Sequence, residues 1–167
     1  MVEQYPHKQN GERIARLERL IEISLSLNST LSKPLLLELI TNAGQELTNT
    51  EACSILLVDH KSGQLYFEAA TNLPGIHSIV VPMDSMAGWV VQNGEALIVP
   101  DAQSDSRWFS RTDRQSTFTT KSILAAPLIT RGNVIGVMQA INKMDDAEFT
   151  EEDVELLTVL GSQAAVA

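Results

Sequence analysis

Few residues of this chain belong to the types that carry out catalysis or bind metals. There is a single cysteine, Cys53, inside an apolar run, and there are three histidines, His7, His60 and His77. One cysteine forms no intrachain disulfide, no CxxC redox pair and no cysteine-cluster zinc site, and its apolar neighbours favour a small core residue. No histidine shares a helical face with a second ligand, so we expect no metal site.

Carboxylates are concentrated in one stretch of the sequence. Residues 145–155 hold seven acidic residues and no lysine or arginine. Negative charge is favoured at the start of a helix, so a solvated helix start explains these residues better than paired catalytic acids. The chain also lacks the GxxxxGK[ST], GxGxxG, HExxH and GxSxG patterns that accompany known catalytic chemistries. We therefore expect no enzymatic activity.

The start of a short helix offers a different chemistry, the binding of an anion. A helix is predicted to begin near Ser85, which can cap it, and to end at Gly94, which can adopt the left-handed conformation. Its first backbone N–H groups, including that of Ala87, lack intrahelical acceptors, and Gly88 leaves room for close approach. The alternative is that Ala87 and Gly88 only pack against the sheet.

One polar side chain interrupts an apolar strand. Gln139 lies between Val137 and Ile141. A buried amide is expected to find a hydrogen-bond partner in the protein or in a ligand. If Gln139 instead faces solvent, it carries no functional information.

Periodicity predicts the elements that must position these residues. Helices are predicted over residues 12–28, from Ser32 to about Leu47, and from Thr150 onwards. Short apolar runs predict six strands, at residues 52–58, 64–70, 78–81, 97–99, 122–130 and 134–141. Residues 101–121 are predicted to be irregular. Short turns between neighbouring strands, such as Arg131-Gly132-Asn133, predict an α+β fold with an antiparallel sheet and terminal helices on one face.

Several stretches resemble a GAF domain. They are Asp84 to Val90, Gly94 to Asp101, Phe118 to Leu128, Gly136 to Lys143 and Phe149 to Asp153. The resemblance extends over about residues 15–167. It implies a profilin-like, six-stranded antiparallel sheet with the terminal helices on one face. On the other face it implies a small-molecule pocket under the short helix and the long loop.

Within this family the sequence is most similar to the cyclic-nucleotide-binding type of phosphodiesterases and adenylyl cyclases. The signature of that type is Asn-Lys, a spacer, and then Phe-x3-Asp-Glu. Asn142, Lys143, Phe149 and Asp153 match it, whereas Val154 replaces the final Glu. The resemblance implies that the lysine and the aspartate pair and brace the pocket without touching the ligand. Capping of its own helix is an alternative role for Asp153, and the two roles can coexist.

The same resemblance implies which residues face the ligand. They come from the short helix (Met86, Ala87), from the long loop (Phe109, Asp113, Ser116, Thr120) and from the sheet floor (Ser54, Asn72, Gln139). Hydroxyls and a carboxylate can bond a purine edge or a ribose, and an aromatic ring can form a wall for the base. The alternative is a solvated loop whose aromatic residues cover the core.

The function implied by the resemblance is regulatory. We expect a ligand-sensing GAF domain of a larger signalling protein, which needs no cofactor, binds cAMP, cGMP or a similar small ligand, and signals through its terminal helices to an effector domain. The alternative is a dimerisation and relay module with a vestigial pocket. The family's methionine-sulfoxide reductases depend on several cysteines, so the single cysteine here argues against that activity.

Charge and composition limit the remaining partners and the location. With 12 Lys+Arg against 21 Asp+Glu, the net charge of -9 argues against nucleic-acid binding. No apolar run is long enough for a membrane helix, and the polar first residues are unlike a signal peptide, so a cytoplasmic domain is expected. Residues 1–11 are predicted to be a disordered tail or tag remnant, and residues 12–167 the domain, cut from a longer protein. Ile14, Leu17 and Ile21 have the spacing of a coiled-coil seam, which indicates a homodimer or ordinary core packing.

Overall fold

A computed structural model describes residues 11–15, 17–21, 32–73, 75–116 and 118–166. Of the predicted N-terminal helix, residues 12–15 and 17–21 are helical. Its residues 16 and 22–28, and almost all of the predicted tail, lie outside the described part of the chain.

After these N-terminal helical residues, the described part of the chain forms four α-helices and six strands. The helices are α1 (Lys33–Thr48), α2 (Met86–Asn93), α3 (Arg111–Ser116) and α4 (Glu151–Ala165). The strands are β1 (Thr50–Val58), β2 (Leu65–Ala70), β3 (Val80–Val81), β4 (Leu97–Val99), β5 (Ile123–Thr130) and β6 (Asn133–Lys143). One 3-10 turn, Ala102–Ser104, lies between β4 and α3.

The strands form one six-stranded antiparallel sheet in the order β3-β2-β1-β6-β5-β4. Arg131 and Gly132 join β5 to β6 with φ values of 50° and 78°. Two positive φ values in a two-residue connection match the strand twist, as in a type I′ turn. The predicted antiparallel sheet and this hairpin are therefore confirmed.

Helix ends follow the capping rules in part. Ser32 is the N-cap of α1 and Pro34 lies in its first turn, as predicted, but the Ser32 side chain makes no capping hydrogen bond. Helix α4 has a full capping box, because Thr150 Oγ1 accepts from Asp153 N and the Asp153 carboxylate accepts from Thr150 N. The strongly fixed start of α4 holds that helix at the end of β6.

Strand alternation divides the core into two clusters, one on each face of the sheet. In β1, Cys53 and Ile55 face α1 and α4, whereas Ala52 and Leu56 face the side covered by α2. The cluster that contains Cys53 and Ile55 also includes Ile21 and the partly buried Ile14 and Leu17. Ile21 therefore packs within the chain, and Ile14 and Leu17 do so in part, which agrees with ordinary core packing as one of the two alternatives for this seam.

Two sequence predictions need correction. Residues 101–121, called the lid below, are not irregular, because they contain the 3-10 turn and α3. The predicted strand at 78–81 is reduced to Val80–Val81, since residues 77 and 78 form a turn. No helix among the described residues is long and apolar enough to cross a membrane.

Candidate functional site

A cavity lies on the α2 side of the sheet, between the strands, the start of α2 and the lid. The empty space between its walls is about 450 Å³ when the part open to solvent is counted, but the interior volume is about 50 Å³. Its walls are formed by Leu56, Phe67, Val81, Ser85, Met86, Ala87, Arg107, Trp108, Phe109, Thr112, Asp113, Thr120, Ile123, Gln139 and Ile141. Small-molecule sites usually measure ~300–1,000 Å³, so the interior of this cavity is smaller than that range.

Gln139 is the polar residue of the cavity floor. It is 8% exposed and lies opposite Ser54 of β1 and Ala125 of β5. Its Oε1 accepts a long hydrogen bond from Ser54 Oγ at 3.4 Å. Its Nε2 has no acceptor among the described residues. Every fully buried side-chain polar atom among these residues has a partner, so Nε2 is not fully buried, and Gln139 lines the cavity. Of the two alternatives that the sequence left open for Gln139, the structure shows the buried one, in which a polar side chain is expected to have a partner.

The start of α2 forms one end of the cavity. Ser85 caps the helix, because its Oγ accepts from Gly88 N at 3.1 Å and donates to Pro82 O at 2.6 Å. The first intrahelical bond runs from Trp89 N to Ser85 O. The backbone N–H groups of Met86 and Ala87 precede that bond, and both residues line the cavity. They form the donor end that an anionic group would meet.

Gly88 has a different role from the one its sequence position indicates. A Cβ at this position would overlap the backbone carbonyl of Met83. The close approach that requires glycine is therefore that of the preceding loop, not that of a ligand. The helix is kept against Met83, which fixes where its first turn points.

The lid is fastened by its own polar groups. The Asp113 carboxylate accepts from Thr120 Oγ1 at 2.6 Å and from Thr120 N at 2.7 Å. Both residues line the cavity, as predicted, and so does Phe109. A ligand that bonds Asp113 or Thr120 must exchange with this pair, which holds the lid over the cavity.

Arg107 also lines the cavity, and the sequence analysis did not identify it. Its Nε donates to Asp105 Oδ1 at 2.8 Å and its Nη2 to Asp105 Oδ2 at 2.7 Å. The guanidinium carbon lies 5.5 Å from the centre of the Trp89 ring. Hydrogen bonds from Arg107 lower the pKa of Asp105 to about 2, so the pair stays charged. The signal that could have found it is an Asp-x-Arg triplet beside Trp108 and Phe109 in a polar loop.

Asn142 ties the end of the lid to the sheet. Its Oδ1 accepts from Lys121 N at 2.6 Å and Ser122 N at 3.2 Å, and its Nδ2 donates to Thr119 O at 2.7 Å and Glu51 Oε2 at 2.9 Å. Its φ of 63° is left-handed, a conformation that asparagine tolerates better than most residues. Asn142 is not among the residues that line the cavity, so it acts on the lid anchor.

Lys143 and Asp153 form a buried ion pair behind the sheet. Lys143 Nζ lies 2.9 Å from Asp153 Oδ2, with side chains 13% and 9% exposed. The same ammonium donates to Thr48 O at 2.7 Å and lies 5.9 Å from the ring centre of Phe149. Asp153 therefore both pairs with Lys143 and caps α4, so its two proposed roles coexist. None of these residues lines the cavity.

Three predicted ligand residues do not line the cavity. Ser54 is buried and reaches the cavity only through Gln139. Asn72 is not on the sheet floor, because β2 ends at Ala70; it is exposed, has a φ of 52°, and donates to Glu51 O. Ser116 is buried in α3 and donates to Thr112 O. The structure corrects the placement of Asn72, whereas Ser54 lies on β1 opposite Gln139 and Ser116 lies in the lid, as predicted.

Cys53 is a buried core residue. Cys53 is fully buried, and burial raises the pKa of its thiol to about 12. No cluster of three or more metal-ligating side chains occurs among the described residues.

Comparison with known proteins identifies the family of this architecture. The GAF domain family model matches residues 34–167. A probable 3′,5′-cyclic phosphodiesterase of Caenorhabditis elegans is 31% identical over 99% of this chain. A dual 3′,5′-cyclic-AMP and -GMP phosphodiesterase of Takifugu rubripes is 32% identical over 92% of it. The chain spans only 26% and 18% of these two relatives.

Solved structures share the fold. The GAF domain of a phosphoenolpyruvate-protein phosphotransferase from Coxiella burnetii has a TM-score of 0.78 at 19% identity, covering 92% of this chain and 90% of its own. The free methionine-R-sulfoxide reductase of Neisseria meningitidis, in complex with its substrate, has a TM-score of 0.72 at 17% identity, covering 94% and 86%. At these identities the likeness concerns the fold alone.

Proposed function

The chain belongs to the GAF domain family, and from this premise we propose that it is a regulatory module that binds a cyclic nucleotide, cAMP or cGMP, beneath its lid. The observation that carries the proposal is Gln139, a buried amide on the cavity floor whose Nε2 has no partner among the described residues. The relatives that are cyclic phosphodiesterases by name support the choice of ligand class.

The cavity offers a place for each part of such a ligand. The phosphate meets the N–H groups of Met86 and Ala87 at the start of α2. The Gln139 amide, which can donate and accept, reads the edge of the base, and the ring of Phe109 forms a wall for its face. Asp113 and Thr120 become available to the ligand when their mutual hydrogen bonds open.

Movement of the lid connects binding to signalling. Because the interior volume is about 50 Å³, ligand entry requires the lid to shift. The lid is anchored to β6 by Asn142, and β6 is joined to α4 through Lys143 and Asp153. A ligand that prefers one lid position therefore biases the packing of α4 and its neighbours, and it can do so only by that differential affinity. An effector domain in a longer chain would receive the change.

The small interior also favours one other candidate. A domain whose pocket is too narrow for any nucleotide would serve as a relay and dimerisation module without a ligand. The two candidates differ in whether ligand binding stabilises the fold.

A thermal shift experiment tests the proposal. At a ligand concentration about 100 times Kd, binding contributes about 2.7 kcal/mol, which raises the Tm of a domain of this size by roughly 5–10 °C. We expect this shift with cAMP or cGMP, and a much smaller one for Gln139→Met, which keeps the shape but not the amide. Gln92→Met, at an exposed position on α2, is the matched control and should keep the full shift. No shift at millimolar nucleotide would favour the relay module.

A further inference from the structure

Arg107 lines the cavity, and its ion pair with Asp105 uses only part of its guanidinium. The side-on pairing with Asp105 uses Nε and one N–H of Nη2. A guanidinium has further donors, on Nη1 and on the second N–H of Nη2. These make no hydrogen bond with a described residue, and the side chain is 28% exposed. The arginine is therefore held in a defined plane while part of its donor capacity remains available.

Arg107 lies next to α2. Its guanidinium stacks over Trp89, which belongs to the first turns of α2, at 5.5 Å. Ser85, Met86 and Ala87, at the start of the same helix, line the same cavity as Arg107. Arg107 and the first residues of α2 therefore line one cavity, and Arg107 also contacts this helix at Trp89.

The negatively charged residue of the cavity lining, Asp113, pairs with Thr120 and not with Arg107. Among the described residues that line the cavity, Arg107 and Asp113 are the charged ones. The Asp113 carboxylate is bonded to Thr120, on the other side of the lid sequence. A carboxylate repels an anion, so the lining favours one orientation, with the anionic group towards Arg107.

We propose that Arg107 binds the phosphate of the ligand and that Asp105 is its positioning residue. This inference rests on the proposed function and names the residue that recognises the charged group of that ligand. The Asp105–Arg107 pair is neutral as a unit, so it supplies oriented donors without attracting anions indiscriminately. A cyclic phosphodiester, which carries a single negative charge and two exposed oxygens, matches these donors together with the first turn of α2.

The test compares nucleotides with nucleosides. Dissociation constants are measured by calorimetry for cGMP and cAMP, and for guanosine and adenosine, which lack the phosphate. The variant is D105N/R107Q, which removes both charges and leaves no carboxylate unpaired. A charge-assisted hydrogen bond corresponds to roughly 10- to 100-fold in Kd. We expect that loss for the bound nucleotide and less than about 3-fold for the nucleoside.

Control variants separate this role from a structural one. Arg114→Gln changes an exposed arginine of the same lid that does not line the cavity, and it should leave both constants unchanged. Arg107→Lys keeps the charge but not the side-on pairing, and it should give an intermediate loss for the nucleotide. If D105N/R107Q does not fold, as judged by circular dichroism, Arg107→Lys supplies the comparison.

The outcomes distinguish the two proposals. If the wild-type chain binds no cyclic nucleotide, the proposed function fails and this inference fails with it. If the wild type binds but D105N/R107Q binds equally well, only the assignment to Arg107 is overturned. An equal loss for nucleotide and nucleoside also overturns it, because the pair would then act only on lid structure.

Discussion

At the scale of single residues, the partner of each side chain decides its role. Gln139 and Asn72 are both amides that sequence resemblance places at the ligand. The register of β6 against β1 turns Gln139 to the cavity floor, whereas β2 ends before Asn72 and the chain turns there with a positive φ. Residue type alone cannot separate these cases, because strand ends depend on pairing across the sheet.

Cys53 gives a prediction at this scale. Its thiol is buried between the sheet and the helices, and this burial raises the pKa of the thiol to about 12, well above its ordinary value. Because the folded pKa is raised, burial of the neutral thiol favours the folded state below pH ~9, and that contribution is lost as pH rises towards 12. We expect no reaction with a thiol reagent such as Ellman's reagent in the native protein at pH 8, and full reaction in guanidinium chloride. Rapid native labelling would contradict the burial.

At the scale of elements, the sequence predicted the sheet and the short helix but not the inside of the lid. Apolar alternation and turn residues mark β1, β2, β5 and β6 within a few residues, because those signals are local. Helix α3, Arg111–Ser116, has no apolar stripe, so periodicity cannot reveal it. Its place depends on hydrogen bonds such as that between Asp113 and Thr120, which join residues seven apart in a polar segment.

Gly88→Ala tests the packing of α2. The new Cβ would overlap the Met83 carbonyl, and backbone cannot yield as a side chain can. We expect a loss of about 3 kcal/mol in the free energy of unfolding, measured with urea. Gly161→Ala in α4 is the matched control, because its Cβ would meet neighbours at 3.6 Å or more. It should be neutral or stabilising, and an equal loss in both variants would refute the explanation.

Lys143→Met tests the brace between β6, α1 and α4. The change leaves the Asp153 carboxylate buried without its cation and frees the Thr48 carbonyl. Breaking a buried pair costs about 3–5 kcal/mol, so Tm should fall by roughly 10 °C in calorimetry. Lys33→Met, at an exposed lysine of α1, should change stability by less than about 0.5 kcal/mol.

At the scale of the whole molecule, the sheet separates two functions. One face packs against α1, α4 and the N-terminal helical residues, and the other carries the cavity, α2 and the lid. Strand β6 belongs to both, because Gln139 faces the cavity and Met138 faces the helices. A change of the lid can therefore reach the terminal helices through one strand and its end at Asn142 and Lys143.

The central claim is that a cyclic nucleotide binds between the lid and the start of α2, and a ¹H–¹⁵N NMR titration tests it most directly. With cGMP or cAMP, we predict saturable shifts with a single Kd, largest for the backbone amides of Ala87 and Thr120 and for the side-chain amide of Gln139. An absence of shifts up to millimolar nucleotide, or shifts only on the exposed surface of α1, would contradict binding at this site.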